Sequence, residues 1–231
     1  MSEIGAMADT TLTDVDPALT GSLAGTLEYV FKKMLQGIDG QLPAQVISYD
    51  RATNRATVQP LISRVTTAGE AVERGTVASM PVLALGGGEF NISFPLKAGD
   101  RGWIEASDRD ISLYLQTTQQ SKPNTLRMHE FSDGRFIPDV FADYELPAGH
   151  DDSLVIQHKS GQTWIGVKEA EISLKVGSAE FTLTEDRITL TAGGNSFVVS
   201  AAGAKHNGVN VGGNHKHSGV QGGNDNTGGP Q

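Results

Sequence analysis

The sequence predicts an all-β protein in which an N-terminal helix precedes a barrel and then a run of very short strands. Three observations carry this reading. Apolar residues recur at three- and four-residue spacing only before about residue 40, as on one face of a helix. From Gln41 the period changes to two. From Leu154 onward the alternating segments shorten and the linkers between them shrink to a few residues.

In the first segment, residues 1–40, Asp16 followed by Pro17 offers an N-cap residue with proline at the first helical position. Leu23, Leu27, Val30, Phe31, Met34, Leu35 and Ile38 form a wide apolar stripe, and Gly37 and Gly40 offer stops. The spacing predicts a helix over 17–38 that docks either on its own chain or on a partner.

Residues 41–149 read as a compact β domain. "AQVISYDRATNRATVQPLISRV" is a hairpin with its turn at "DRATN". "VASMPVLAL" is a further strand, "GGGEF" a loop, and "DRGWIEASDRDISLYLQ" two more strands broken by the charged turn "SDRD". A handful of short strands of this kind suits a small sandwich or barrel, and an OB-type barrel fits best.

From residue 150 to 217 the segments "LVIQ", "TWIGV", "EISLKV", "EFTLT", "RITLT" and "SFVVS" follow one another, with "GVNV" after them. Between Asp151 and Val211 the only aromatic residues are Trp164, Phe181 and Phe197, too few for a sandwich core within one chain. An inward set such as Ile172, Leu174 and Val176 turns Ser173 and Lys175 outward. Such strands are stable when they wind around an axis and stack on copies of themselves. The other arrangement is a β-meander that continues the first domain. Residues 218–231 form a glycine-rich tail.

Composition removes several function classes. The chain has no cysteine, which excludes disulfides and thiolate chemistry. Its net charge of −9 with no basic patch argues against a nucleic-acid partner. No apolar run is long enough to span a bilayer, and the first residues do not read as a signal peptide, so synthesis in the cytoplasm is expected. "SDRD" at 107–110 and Asp151–Asp152 are acidic clusters of the kind turns carry for local hydrogen bonding. "GGG" at 86–88 lacks the lysine and hydroxyl residue of a phosphate loop. No catalytic signature is present, so no enzymatic activity and no catalytic residue is expected.

The phrases "MPVLALGGGEFNISFPLKAGDRGWIEASDRDISLY" and "RMHEFSDGRFIP", the short-strand run and the ending "HKHSGVQGGNDNTGGPQ" together resemble the central spike, or membrane-piercing protein, of contractile-tailed phage baseplates. The resemblance covers most of the chain from about Gln41 onward. It implies a homotrimer with an OB-fold collar joined to a baseplate hub protein at the N-terminal end. It also implies an intertwined triple-stranded β-helix ending in a metal-bound tip that meets the host outer membrane. The implied role is a structural part of the virion tail, driven through that membrane by sheath contraction. A trimeric receptor-binding or glycan-cleaving tail fibre is the other reading, although such enzymes need a longer β-helix with paired carboxylates.

The resemblance further implies one iron ion per trimer, held by His215 and His217 of each chain. In an extended strand those two side chains project to one side, with Lys216 turned away. Around a threefold axis they would supply six imidazole nitrogens in an octahedral set, which disfavours tetrahedral zinc and leaves no open position for substrate. The site is therefore expected to be structural. His129, His150, His158 and His206 do not match the motif.

Overall fold

The structure, a computed structural model, describes residues 21–66, 69–213 and 215–216. It divides into two compact units, Met1–Phe141 and Ala142–Gln231.

The first described element is helix α1, Leu23–Gln36. Ser22 caps it from an extended backbone, its Oγ accepting the Gly25 N–H at 3.1 Å. A helix continuous from residue 17 is thereby ruled out, because Ser22 leaves the helical region; Asp16 and Pro17 lie outside the described residues. The helix ends at Gly37 as expected, whose N–H donates to the Met34 carbonyl at 3.1 Å. Leu23, Leu27, Val30, Phe31, Met34 and Leu35 all stay exposed, so the stripe does not pack on described residues of its own chain.

The barrel sheet is built from β1 (Gln41–Asp50), β2 (Arg55–Pro60), β5 (Val77–Pro81), β8 (Arg101–Ser107) and β9 (Glu130–Pro138) in the order β5-β2-β1-β8-β9. Two further pairs, β3 (Arg64–Val65) with β4 (Ala71–Val72) and β6 (Leu85–Gly87) with β7 (Phe90–Ile92), lie outside it. Past β5 the chain meets β9 in parallel at Val82 and Phe136, and the Leu83 N–H donates to the Phe136 carbonyl at 2.8 Å. The sheet is thus nearly closed into a barrel.

Alternation fills its interior with Ala44, Val46, Ala56, Val58, Met80, Val82, Ile104, Phe131 and Phe136. The expected "DRATN" turn is present: the Asp50 carboxylate accepts the Ala52 N–H at 3.0 Å and the Thr53 hydroxyl at 2.7 Å. Those bonds, the Thr53 hydroxyl first, hold its pKa below the ordinary value. A bulge at Ile47 shifts the parity of β1, so that Val46 and Tyr49 both face inward while Ile47 is exposed. Gly102 and Gly134 mark close backbone approaches, since a Cβ at either would collide with the carbonyl of Ile137 or Glu105.

Two expectations need correction. "GGGEF" is not an open loop but the turn of the β6–β7 hairpin, with Gly88 at φ +60°. The segment "ISLYLQ" is not a strand: Ser112–Thr117 forms the short helix α2. The cause is Asp110, whose carboxylate accepts the Ser112 N–H at 2.9 Å and bends the chain out of the sheet.

The same aspartate anchors the connection to β9. It accepts the Thr125 hydroxyl at 2.7 Å and pairs with Arg127 at 3.1 Å, while Arg127 also grips Asp133 through Nε at 2.8 Å and Nη2 at 3.0 Å. Hydrogen bonds from Ser112 and Thr125 hold the Asp110 carboxyl well below the usual carboxylate range. The Asp133 carboxylate raises the pKa of Arg127.

The second unit is one sheet of consecutive antiparallel strands, β10 (Leu154–Gln157), β11 (Thr163–Val167), β12 (Glu171–Val176), β13 (Ala179–Thr184), β14 (Arg187–Ala192), β15 (Asn195–Ser200), β16 (Gly203–His206) and β17 (Val209–Asn210). All the anticipated strands appear, and β16 is an additional one. Within the sheet each interior strand is hydrogen-bonded on both edges to its neighbours in the same chain. Within the single chain this is a meander, each strand paired with its neighbours in sequence. Tight turns join the strands. Gly193–Gly194 (φ +56°, +80°) and Asn207–Gly208 (φ +49°, +81°) have both central residues at positive φ, as type I′ hairpins require.

The compact units part after Phe141, whereas the sequence places the boundary after Gly149. Residues 143–150 belong with the sheet because they cover one of its faces: His150 stacks on Trp164 with ring centroids 4.1 Å apart, and Gln157 Nε2 donates to the Glu145 carbonyl at 2.6 Å. Beneath this cover Ser173 is 1% exposed, contrary to the expectation that it faces out. Gly166 lets the cover sit close, since a Cβ there would lie 3.0 Å from the His150 ring and push it outward.

Two outcomes test the first unit. Phe136→Ala empties the barrel centre and is expected to cost about 3–5 kcal/mol, read from the urea midpoint followed by Trp103 fluorescence. Asp110, with its folded pKa below the unfolded value, contributes stability that is present above about pH 4 and lost as pH falls through the folded pKa. The gap in urea midpoint between wild type and Asp110→Asn should therefore stay constant from about pH 6 to about pH 4.5 and narrow as pH falls below about 4.

Candidate functional site

His215 stands just past the last strand. Pairing extends beyond Asn210, since the Val211 N–H donates to the Ala204 carbonyl at 2.9 Å. The chain then turns. The Gly212 N–H donates to Asn210 Oδ1 at 2.9 Å, and the His215 N–H donates to the Gly212 carbonyl at 3.0 Å. The turn closes at His215, ahead of the histidine pair, and the expected extended path on to His217 lies outside the described residues.

That turn also sets the imidazole. His215 Nδ1 lies 2.7 Å from the Gly212 carbonyl oxygen. A carbonyl only accepts, so Nδ1 carries the proton and Nε2 the lone pair. Ligating histidines are commonly oriented in this way, by a bond from the other ring nitrogen to a backbone carbonyl. The donor set at His215 fits a metal bound through Nε2. His217, the second expected ligand, lies outside the described residues.

The remaining histidines have local surroundings of their own. His129 sits at φ +52° with Nδ1 3.8 Å from Asp108, and His150 is packed on Trp164. His158 Nδ1 meets the Ser160 hydroxyl at 2.8 Å. His206 is on β16. Of the acidic clusters, Asp110 is fully engaged in tying down its loop, and Asp152 approaches Lys168 at 3.6 Å.

A second feature was only partly readable in the sequence. The register of the sheet stacks its apolar residues into two rows on one face. One row runs Leu154, Val167, Ile172, Leu183, Ile188, Val199 and Ala204. The other runs Ile156, Ile165, Leu174, Phe181, Leu190, Phe197, His206 and Val209. The opposite face carries Ser173, Lys175, Thr182, Thr189, Thr191 and Ser196, with Val155, Trp164 and Val198 as its large apolar residues. The apolar rows stay open: Leu154 is 69% exposed, Leu190 46% and Val209 67%. Period-two alternation foretells a one-sided sheet, but the rows depend on which residues the turns set opposite one another.

Comparison with known proteins gives two matches. Residues 42–139, the barrel unit, match the family described as Phage protein Gp138 N-terminal domain. Residues 211–231, which include the histidine pair, match the GpV Apex motif. No curated protein matches the chain. The barrel and the histidine-bearing end thus each carry a family marker of phage baseplate spikes.

Proposed function

We propose that the protein is the homotrimeric central spike of a contractile phage tail, piercing the host outer membrane by force supplied from the sheath and without enzymatic activity of its own. The observation that carries this reading is the open apolar face of the second unit. Two continuous rows of Leu, Ile, Val and Phe cannot stay in water without cost, each fully buried side chain being worth about 1.5–3 kcal/mol. Because the interior strand edges are satisfied within the chain, copies meet through faces: three faces turned to a common axis bury both rows and give a stiff β-helical spike.

The first unit serves as the collar. Its strand order and parallel closure between β9 and the chain beyond β5 support an OB-type barrel. Attachment to a baseplate hub protein falls to this end, with the uncovered stripe of α1 as a contact surface. At the other end His215 and His217 of the three chains would hold one iron ion, with a structural role of fastening chain ends where apolar packing stops. The donor arrangement at His215 supports this; the choice of iron follows the family likeness.

Leu190→Asp places a charge in the middle of the apolar face. Sedimentation velocity should give a three-chain mass for the wild type and a one-chain mass for the variant, with the barrel still folded. A monomeric wild type overturns the reading. Metal analysis of protein purified without chelator should find about one iron per three chains, lost in the His215→Ala/His217→Ala variant while the trimer persists. One ion per chain, or none, overturns the tip site.

A further inference from the structure

Within the two apolar rows one side chain is ionisable. His206 lies opposite Phe197 on one side and Val209 on the other. Its row is the middle one on that face, flanked by the Leu154–Ala204 row and, on the far side, by Thr163, Val176, Ala179, Ala192 and Asn195. Among the described residues its imidazole has no hydrogen-bond or ion-pair partner, although Asn207 beside it is tied to Asn195 at 2.9 Å and to the Ser196 N–H at 2.7 Å. A polar group set in an apolar row without a partner is costly once buried. Something must take its lone pair.

We infer that His206 of three copies forms a second metal site, separate from the tip, for a divalent transition ion that favours imidazole nitrogen, with zinc as the probe. This inference rests on the trimeric reading. When three sheets turn the same face to one axis, the middle row comes nearest that axis, so the three His206 rings converge at one level of the stack. One chain alone cannot build such a site: among the described residues no three metal-ligating side chains come together. Three copies supply three nitrogens, and water completes the tetrahedral shell that zinc prefers. Phe197 and Val209 on the neighbouring strands wall the level with apolar groups, which strengthens nitrogen–metal bonding by excluding competing water. The chemistry differs from that expected at His215 and His217, where six nitrogens would leave no room for water.

The test uses the full chain carrying His215→Ala and His217→Ala, so that the tip is emptied. Sedimentation first establishes that this variant is a trimer. Calorimetric titration with zinc alone should then give one ion per three chains, and thermal unfolding should show a higher Tm with zinc than with chelator. Adding His206→Leu should abolish both the binding and the zinc-dependent shift, while raising Tm in chelator because an apolar side chain then fills the row. His206→Gln, which keeps a polar group there, must lose the ion as well. A trimer that takes up no zinc, or takes up as much with His206 replaced, overturns this site and leaves the spike reading standing. A monomer overturns the spike reading, and the site with it.

Discussion

Turn length governs the second unit. A two-residue turn between antiparallel strands returns the chain with its side-chain parity kept, so a strand that alternates correctly stays correct through the next hairpin. Gly193–Gly194 and Asn207–Gly208 do this with paired positive-φ residues that few other dipeptides tolerate. Were one turn to gain a residue, every apolar side chain beyond it would swing to the face that carries Ser173, Thr182 and Thr189. The two rows, the face they build and the position of His206 all descend from this constraint.

The barrel obeys a different rule. Its strands do not stay in strict register but are adjusted by bulges at Ile47 and beyond Glu105, which bend the sheet enough to bring β9 to Val82. Small residues make that curvature possible where backbones crowd, as at Gly102 and Gly134. A charged cluster then fixes the connection from β8 to β9. Asp110 and Arg127, on segments that supply no residue to the barrel centre, are tied by ion pairing to each other and to Asp133 of β9. Closed sheet and open sheet thus meet the same edge problem in opposite ways, one by curling back on itself and the other by chain-local pairing.

Much of this was legible in the residues. The hairpin at 50–54 could be read because Asp50 and Asn54 are turn formers flanked by clean alternation, and the short strands from Leu154 because their linkers are minimal. "ISLYLQ" misled because Ile111, Leu113 and Leu115 alternate as in a strand; the side-chain bond from Asp110 outweighed that pattern. Strand β16 escaped notice since "GAKH" has little apolar weight, although the Asn207–Gly208 pair after it is a hairpin turn that needs a strand on both sides. The burial of Ser173 was out of reach, because it depends on His150 folding over Trp164 from outside the repeat. The histidine pair was visible as a motif, yet the turn at Gly212 that orients His215 was not, since it arises from a backbone bond that any residue could make.

The meander has a consequence for how such a protein comes into being. Every hydrogen-bonded strand pair in the second unit joins segments adjacent in the chain, so each ladder closes a loop of only a few residues. Contacts of such low order form quickly and in sequence, hairpin after hairpin, without waiting for distant parts of the polypeptide. The sheet can therefore complete its backbone bonding before it meets another molecule.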